Sequence, residues 1–127
     1  MFSYDKTFSS FSVNDLSKAK DFYQKVLGLP VKETPEGLAV EVSADNTVFI
    51  YPKPDHTPAS FTILNFQVPD VERSVTDLTA AGVQFLQYEG GIKTDARGIH
   101  RSDGNGPAAI AWFADPAGNI LSVLQPA

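Results

Sequence analysis

Phe8-Ser9-Ser10-Phe11-Ser12-Val13-Asn14-Asp15-Leu16 is repeated in outline by Ile63-Leu64-Asn65-Phe66-Gln67-Val68-Pro69-Asp70-Val71, with Phe11, Val13 and Asp15 matched by Phe66, Val68 and Asp70 at a constant offset of 55 residues. In both copies the first part alternates. Phe11 and Val13, or Leu64, Phe66 and Val68, fall on one face, as a half-buried strand requires. A helix follows in each. Asp15 or Asn14 caps the first, in which Leu16, Ala19, Phe22, Tyr23, Val26 and Leu27 recur at spacings of three and four before Gly28 stops it. Asp70 caps the second, which carries Val71, Val75, Leu78 and Ala81 and ends at Gly82.

The period then returns to two. Strands are predicted over 31–34, 38–43 and 47–51 in the first half and over 83–89, 108–114 and 120–125 in the second. Turns fall at Pro35-Glu36-Gly37, Asp45-Asn46 and Asp115-Pro116-Ala117-Gly118-Asn119. Each half reads β-α-β-β-β. The fold class is α+β, with tandem modules over about 5–52 and about 60–126 of one 127-residue domain. Residues 52–58 join them, and three prolines there exclude a central strand.

A module with one helix on one sheet face leaves the other face bare. Two such halves either cover each other or enclose something. Strand parity turns Phe8, Ser10 and Ser12, and likewise Ile63, Asn65 and Gln67, away from the helices. These sets mix polar with apolar side chains, so the reading is a partly wet, ligand-sized cup between modules rather than a sealed core.

Composition narrows the function classes. The formal charge of −5, from 10 Lys+Arg against 15 Asp+Glu, argues against nucleic acid, whose affinity for proteins comes mainly from cationic side chains. With no Cys, thiolate catalysis, disulfides and Cys-rich zinc sites are excluded. No apolar run approaches the roughly 18 residues of a membrane helix, and the start lacks the features of a secretory signal, so the expected location is cytoplasmic, away from membranes.

The tandem βαβββ halves, the Val13-Asn14-Asp15-Leu16 start feeding a helix with Phe22-Tyr23 and Leu27-Gly28-Leu29, and the closing Phe113-Ala114-Asp115-Pro116-Ala117-Gly118-Asn119 together resemble the vicinal oxygen chelate superfamily. That superfamily includes glyoxalase I, extradiol dioxygenases, fosfomycin resistance proteins and the bleomycin resistance protein. The resemblance implies the glyoxalase/bleomycin resistance fold, with a cupped mixed sheet. It also implies a homodimer and, in metal-using members, a divalent cation held by His, Glu and Gln. The matching positions here are Phe8, Phe49 (or Ile50 in a register one residue off), Ile63 and Ser122. Three of these have no lone pair and a neutral hydroxyl is a poor ligand, so no metal and no cofactor are expected. Glyoxalase I, fosfomycin-transferase and dioxygenase activities, which depend on that ion, are not expected either.

The resulting reading is a metal-free small-molecule binder, similar to antibiotic-sequestering proteins of the bleomycin resistance type, for a planar or aromatic ligand. Its candidate ligand-binding residues are Phe8, Ser10, Phe49, Tyr51, Ile63, Asn65, Gln67, Trp112 and Ser122. For Trp112 the alternatives are core packing or a subunit contact, and for Tyr51 a rim position. The alternative functions are a metal-independent lyase- or isomerase-like enzyme with Glu41 or His100 as its acid–base group, and a non-catalytic interaction module. Glu41 sits either on the cleft face or at an exposed edge. His56 and His100 read as solvated loop residues. The glycine-rich stretch 90–107 is a mobile surface excursion or a lid bringing Arg97, His100 or Arg101 to an anionic or carbonyl-bearing ligand.

Overall fold

The computed structural model describes residues 1–127, which separate into two compact units, Met1–Thr57 and Pro58–Ala127. In the first, β1 (Ser9–Val13) leads to α1 (Leu16–Asp21), which runs on as a π-helical segment, Phe22–Val26. β2 (Val31–Thr34), β3 (Gly37–Ser43) and β4 (Asn46–Pro52) follow. The sheet order is β1-β4-β3-β2, with β1 parallel to β4 and the other pairs antiparallel. Asp15 is the helix cap, its carboxylate accepting from the Lys18 N–H at 3.1 Å. Gly28, at φ 73°, takes the left-handed turn that ends the helical run.

One sheet face packs on the helix. Val13, Leu38, Val40, Val48 and Ile50 are buried there with Ala19, Phe22 and Tyr23, and the Phe11 ring lies 5.9 Å from that of Tyr23. In-register pairing places Ser10, Phe49 and Ala39, then Ser12 and Tyr51, on the opposite, open face. Gly37 is sterically required: a Cβ there would collide with the Ile50 carbonyl oxygen. Gly37→Ala is therefore expected to lower the unfolding free energy by roughly 1–3 kcal/mol, because backbone must shift to accept the methyl. Urea denaturation checks this.

The second unit comprises β5 (Thr62–Gln67), α2 (Val71–Ala80), β6 (Ile99–Arg101), β7 (Ala109–Ala114) and β8 (Ile120–Gln125). The order β5-β8-β7-β6, with β5 parallel to β8, repeats the first sheet. Asp70 caps α2 through the Arg73 N–H, and the Val71 N–H donates to Gln125 Oε1 at 3.2 Å, fixing the helix start to the end of β8. Ala109, Ala111, Phe113, Leu121 and Val123 are buried on the helix side. The Asp115 carboxylate closes the β7–β8 turn by accepting from the N–H groups of Ala117 and Asn119, both at 2.9 Å, and from Asn119 Nδ2 at 3.0 Å. No helix is long and apolar enough to cross a membrane.

The strand predicted over 83–89 is not formed, and the edge strand after the helix comes instead from residues 99–101. The reason is competition for one edge. Phe85 makes a single bridge to Phe113, and the Leu86 N–H reaches the Trp112 carbonyl at 2.8 Å. Thr94 then draws the chain away: its hydroxyl accepts from the Tyr88 N–H at 2.8 Å while its own N–H donates to the Tyr88 carbonyl. Gly98 brings it back beside Phe85, and β6 pairs with the rest of β7 at Ala109–Ala111. The edge of β7 is thus divided between two segments.

Candidate functional site

The open face of each sheet carries most of the residues singled out from sequence. On the first, Phe49 and Tyr51 stack at 6.5 Å with an interplanar angle of 15°. Phe8 lies just before β1, 62% exposed, and with Phe49, Thr47 and Asp45 it borders a depression of about 240 Å³. Ser10 is exposed beside Phe49. Ser12 Oγ lies 2.6 Å from His56 Nδ1, so His56, expected as a solvated linker residue, is half-buried against β1. Glu41 is exposed next to a register shift between Glu41 and Ser43. That position lacks the desolvation on which its reading as a general base depended.

On the second open face, Ser122 is fully buried and its hydroxyl donates to Asn65 Oδ1 at 2.5 Å. Asn65 and Gln67 are exposed, while Ile63 is half-buried at the irregularity between Thr62 and Leu64. Trp112 is paired in register with Ser122 of β8, and on its other side its carbonyl accepts from the Leu86 N–H. Its ring meets that of Tyr88 edge-on, centroids 5.3 Å apart at 84°. His100 is not a loop residue: it sits in β6 opposite Ile110, on the same face as Trp112, and its Nδ1–H donates to the Lys93 carbonyl at 2.8 Å. The second nitrogen, Nε2, is left as the acceptor in that tautomer.

The lid reading of Arg97 and Arg101 is corrected by their partners. Arg97 donates to the Glu72 carbonyl at 3.0 Å and to Thr76 Oγ1 at 2.6 Å, and Arg101 pairs with Glu72 at 3.3 Å and with Asp95 at 2.6 Å. Both guanidinium groups are therefore fastened to the first turns of α2, on the helix side of the sheet. Asp95 organises this clasp. Its carboxylate also accepts from the N–H groups of Arg97 and Ile99 at 2.8 and 3.0 Å.

Burial works to raise the Asp95 carboxyl, but the bonds from Arg101, Ile99 and Arg97 and the charge of Arg101 outweigh it and hold the group below the ordinary carboxylate value. A depressed folded pKa means that the native state binds fewer protons than the unfolded chain. The contribution is complete above the ordinary carboxylate value of about 4 and disappears as pH falls through the lower folded value. Asp95→Asn is expected to cost about 0.5–1 kcal/mol at pH 7, limited by solvent screening of this part-exposed pair. The gap from wild type should narrow as pH falls from the ordinary carboxylate value through the lower folded one, as denaturation over an acid pH series would measure.

Sequence reasoning missed a depression of about 400 Å³ on this face, bordered by Phe61, Thr62, Tyr88, Glu89, Ile92 and Trp112. Phe61 and Ile92 are 69% and 52% exposed, large apolar groups held in water around the rim. Only Trp112 among them was singled out beforehand. The hydrophobic exposure of Phe61 beside a predicted inward strand was the signal available.

The donor chemistry needed for the family's metal does not fit. Phe8, Phe49 and Ile63 offer no lone pair, the Ser122 hydroxyl is committed to Asn65, and no three His, Cys, Asp or Glu side chains converge to hold an ion.

Residues 8–123 match the Glyoxalase/Bleomycin resistance protein/Dioxygenase superfamily, and the chain belongs to it. Among solved structures it is similar to the fosfomycin resistance protein FosX from Listeria monocytogenes, with TM-score 0.71 and 15% identity over 99% of this chain and 96% of that one. It is also similar to a glyoxalase family protein from Enterococcus faecalis, with TM-score 0.70 and 17% identity over 98% and 99% of the two chains. A third is TnmS3, an antibiotic binding protein from Streptomyces sp. CB03234, with TM-score 0.65 and 24% identity over 99% and 100%. At these identities the likeness is one of fold. No curated protein matches the chain in sequence.

Proposed function

We propose that this protein binds a small planar molecule, without a metal ion, against the open face of its second sheet, and holds it rather than transforming it. The observation that carries the reading is the depression beside Trp112, walled by perpendicular Trp and Tyr rings and rimmed by exposed Phe61 and Ile92. Aromatic walls give a flat ligand large contact area with little loss of side-chain freedom, and Thr62 supplies a neutral hydrogen-bonding group to orient it. The donor-poor set Phe8, Phe49, Ile63 and Ser122 supports metal-free binding. The antibiotic-binding relative from Streptomyces is consistent with sequestration as a use of this fold. A cytoplasmic homodimer is the working form included in the proposal.

Trp112 is the sole tryptophan, so its emission reports on this site alone. A saturable change on titration with quinoline-type bicycles is expected. Linear, non-saturating behaviour across planar probes would overturn the reading.

A further inference from the structure

We infer that the ligand of the Trp112 depression is a cation, a planar ring system carrying a quaternary or protonated nitrogen. The inference rests on the proposed binding role of this depression and adds the chemical class of what enters it.

Three aromatic rings, Phe61, Tyr88 and Trp112, border the depression, and Glu89 is the one charged side chain among its lining residues. An aromatic ring is negative over its faces, so a cation placed over Trp or Tyr is attracted, and most strongly over Trp. Because the Trp112 and Tyr88 planes are close to perpendicular, the two rings are not stacked face to face, and ring faces remain available to a ligand. Glu89 adds a full negative charge at the same rim. Lys or Arg in the lining would repel such a ligand, and neither is present there. Lys93, the cation nearest in sequence, follows Ile92 and is exposed but is not among the lining residues, and Arg97 and Arg101 are fastened to α2 through Glu72 and Asp95. The formal charge of −5 favours the approach of cations over anions. A neutral flat molecule would use the rings alone, whereas an anion would meet Glu89 unfavourably.

The test is equilibrium dialysis of the full chain with two probes of nearly equal shape, N-methylquinolinium and quinoline, at pH 7.5 and low salt. The cation is expected to be retained at least about tenfold more tightly, and Glu89→Gln to narrow that preference to the smaller part the ring faces supply. Circular dichroism of the variant checks its fold, and added salt should narrow the gap between probes. Equal retention of both probes, unaltered by Glu89→Gln, would overturn the cation assignment and leave planar-ligand binding standing. A preference for the cation undiminished by Glu89→Gln would overturn the part given to Glu89. Retention of neither probe, together with a dimer lost in Phe61→Ser, would assign the surface to a second copy of the chain and overturn both readings.

Discussion

Trp112→Ala is expected to weaken retention of a planar probe by roughly thirtyfold, a loss of about 2 kcal/mol of the kind seen when a central aromatic anchor is truncated. The indole lies on the open face, in register with Ser122 and edge-on to Tyr88, so its removal takes one wall from the depression and leaves the other without its partner. The helix-side core of Ala111, Phe113, Leu121 and Val123 is on the opposite face and is untouched. The variant should therefore keep its secondary structure and most of its stability. Trp112→Phe should retain most of the affinity, because a ring face persists. Since the substitution removes the fluorescent group, dialysis is the proper readout. Undiminished retention in Trp112→Ala would place the ligand elsewhere.

Phe113→Ala tests the frame that holds the site. Phe113 is fully buried, its ring meets that of Phe85 at 5.5 Å, and its backbone carries the isolated bridge that ties Phe85 to β7. Truncation should cost about 3–5 kcal/mol, the usual range for a buried phenyl group whose cavity cannot collapse. The effect should spread to the 85–98 segment, since Phe85 loses its partner and the Leu86 and Tyr88 bonds anchor that segment. Denaturant unfolding gives the magnitude. Faster amide exchange at Leu86 and Tyr88 in the variant would trace the local effect.

Much of the frame was legible in the amino-acid order. The matched Phe11/Phe66 and Val13/Val68 positions mark β1 and β5, Asp15 and Asp70 cap the two helices as their position implied, and parity separates Ser10 and Ser12 from Phe11 and Val13. These are local signals, set by strand and helix periods. The 83–89 segment was misread because alternation reports a capacity for strand, while the outcome depends on which of two segments fills the edge of β7. The same division moved His100 from loop to strand and placed it on the Trp112 face.

Arg97 and Arg101 were unreadable for a related reason. Their partner Glu72 lies 25 and more residues away, and ion pairs at that separation leave no spacing pattern. Tyr88 and Glu89 reach the depression through the Thr94 pin, which sequence periodicity does not encode. The contacts that shape the site are thus tertiary, while the faces that present it are local.

The most direct measurement is a titration of the wild-type chain with N-methylquinolinium followed through Trp112 emission, run in excess chelator and repeated after adding zinc or manganese ions. The account predicts the same saturable curve under both conditions. A response that appears only once the metal is supplied would contradict it.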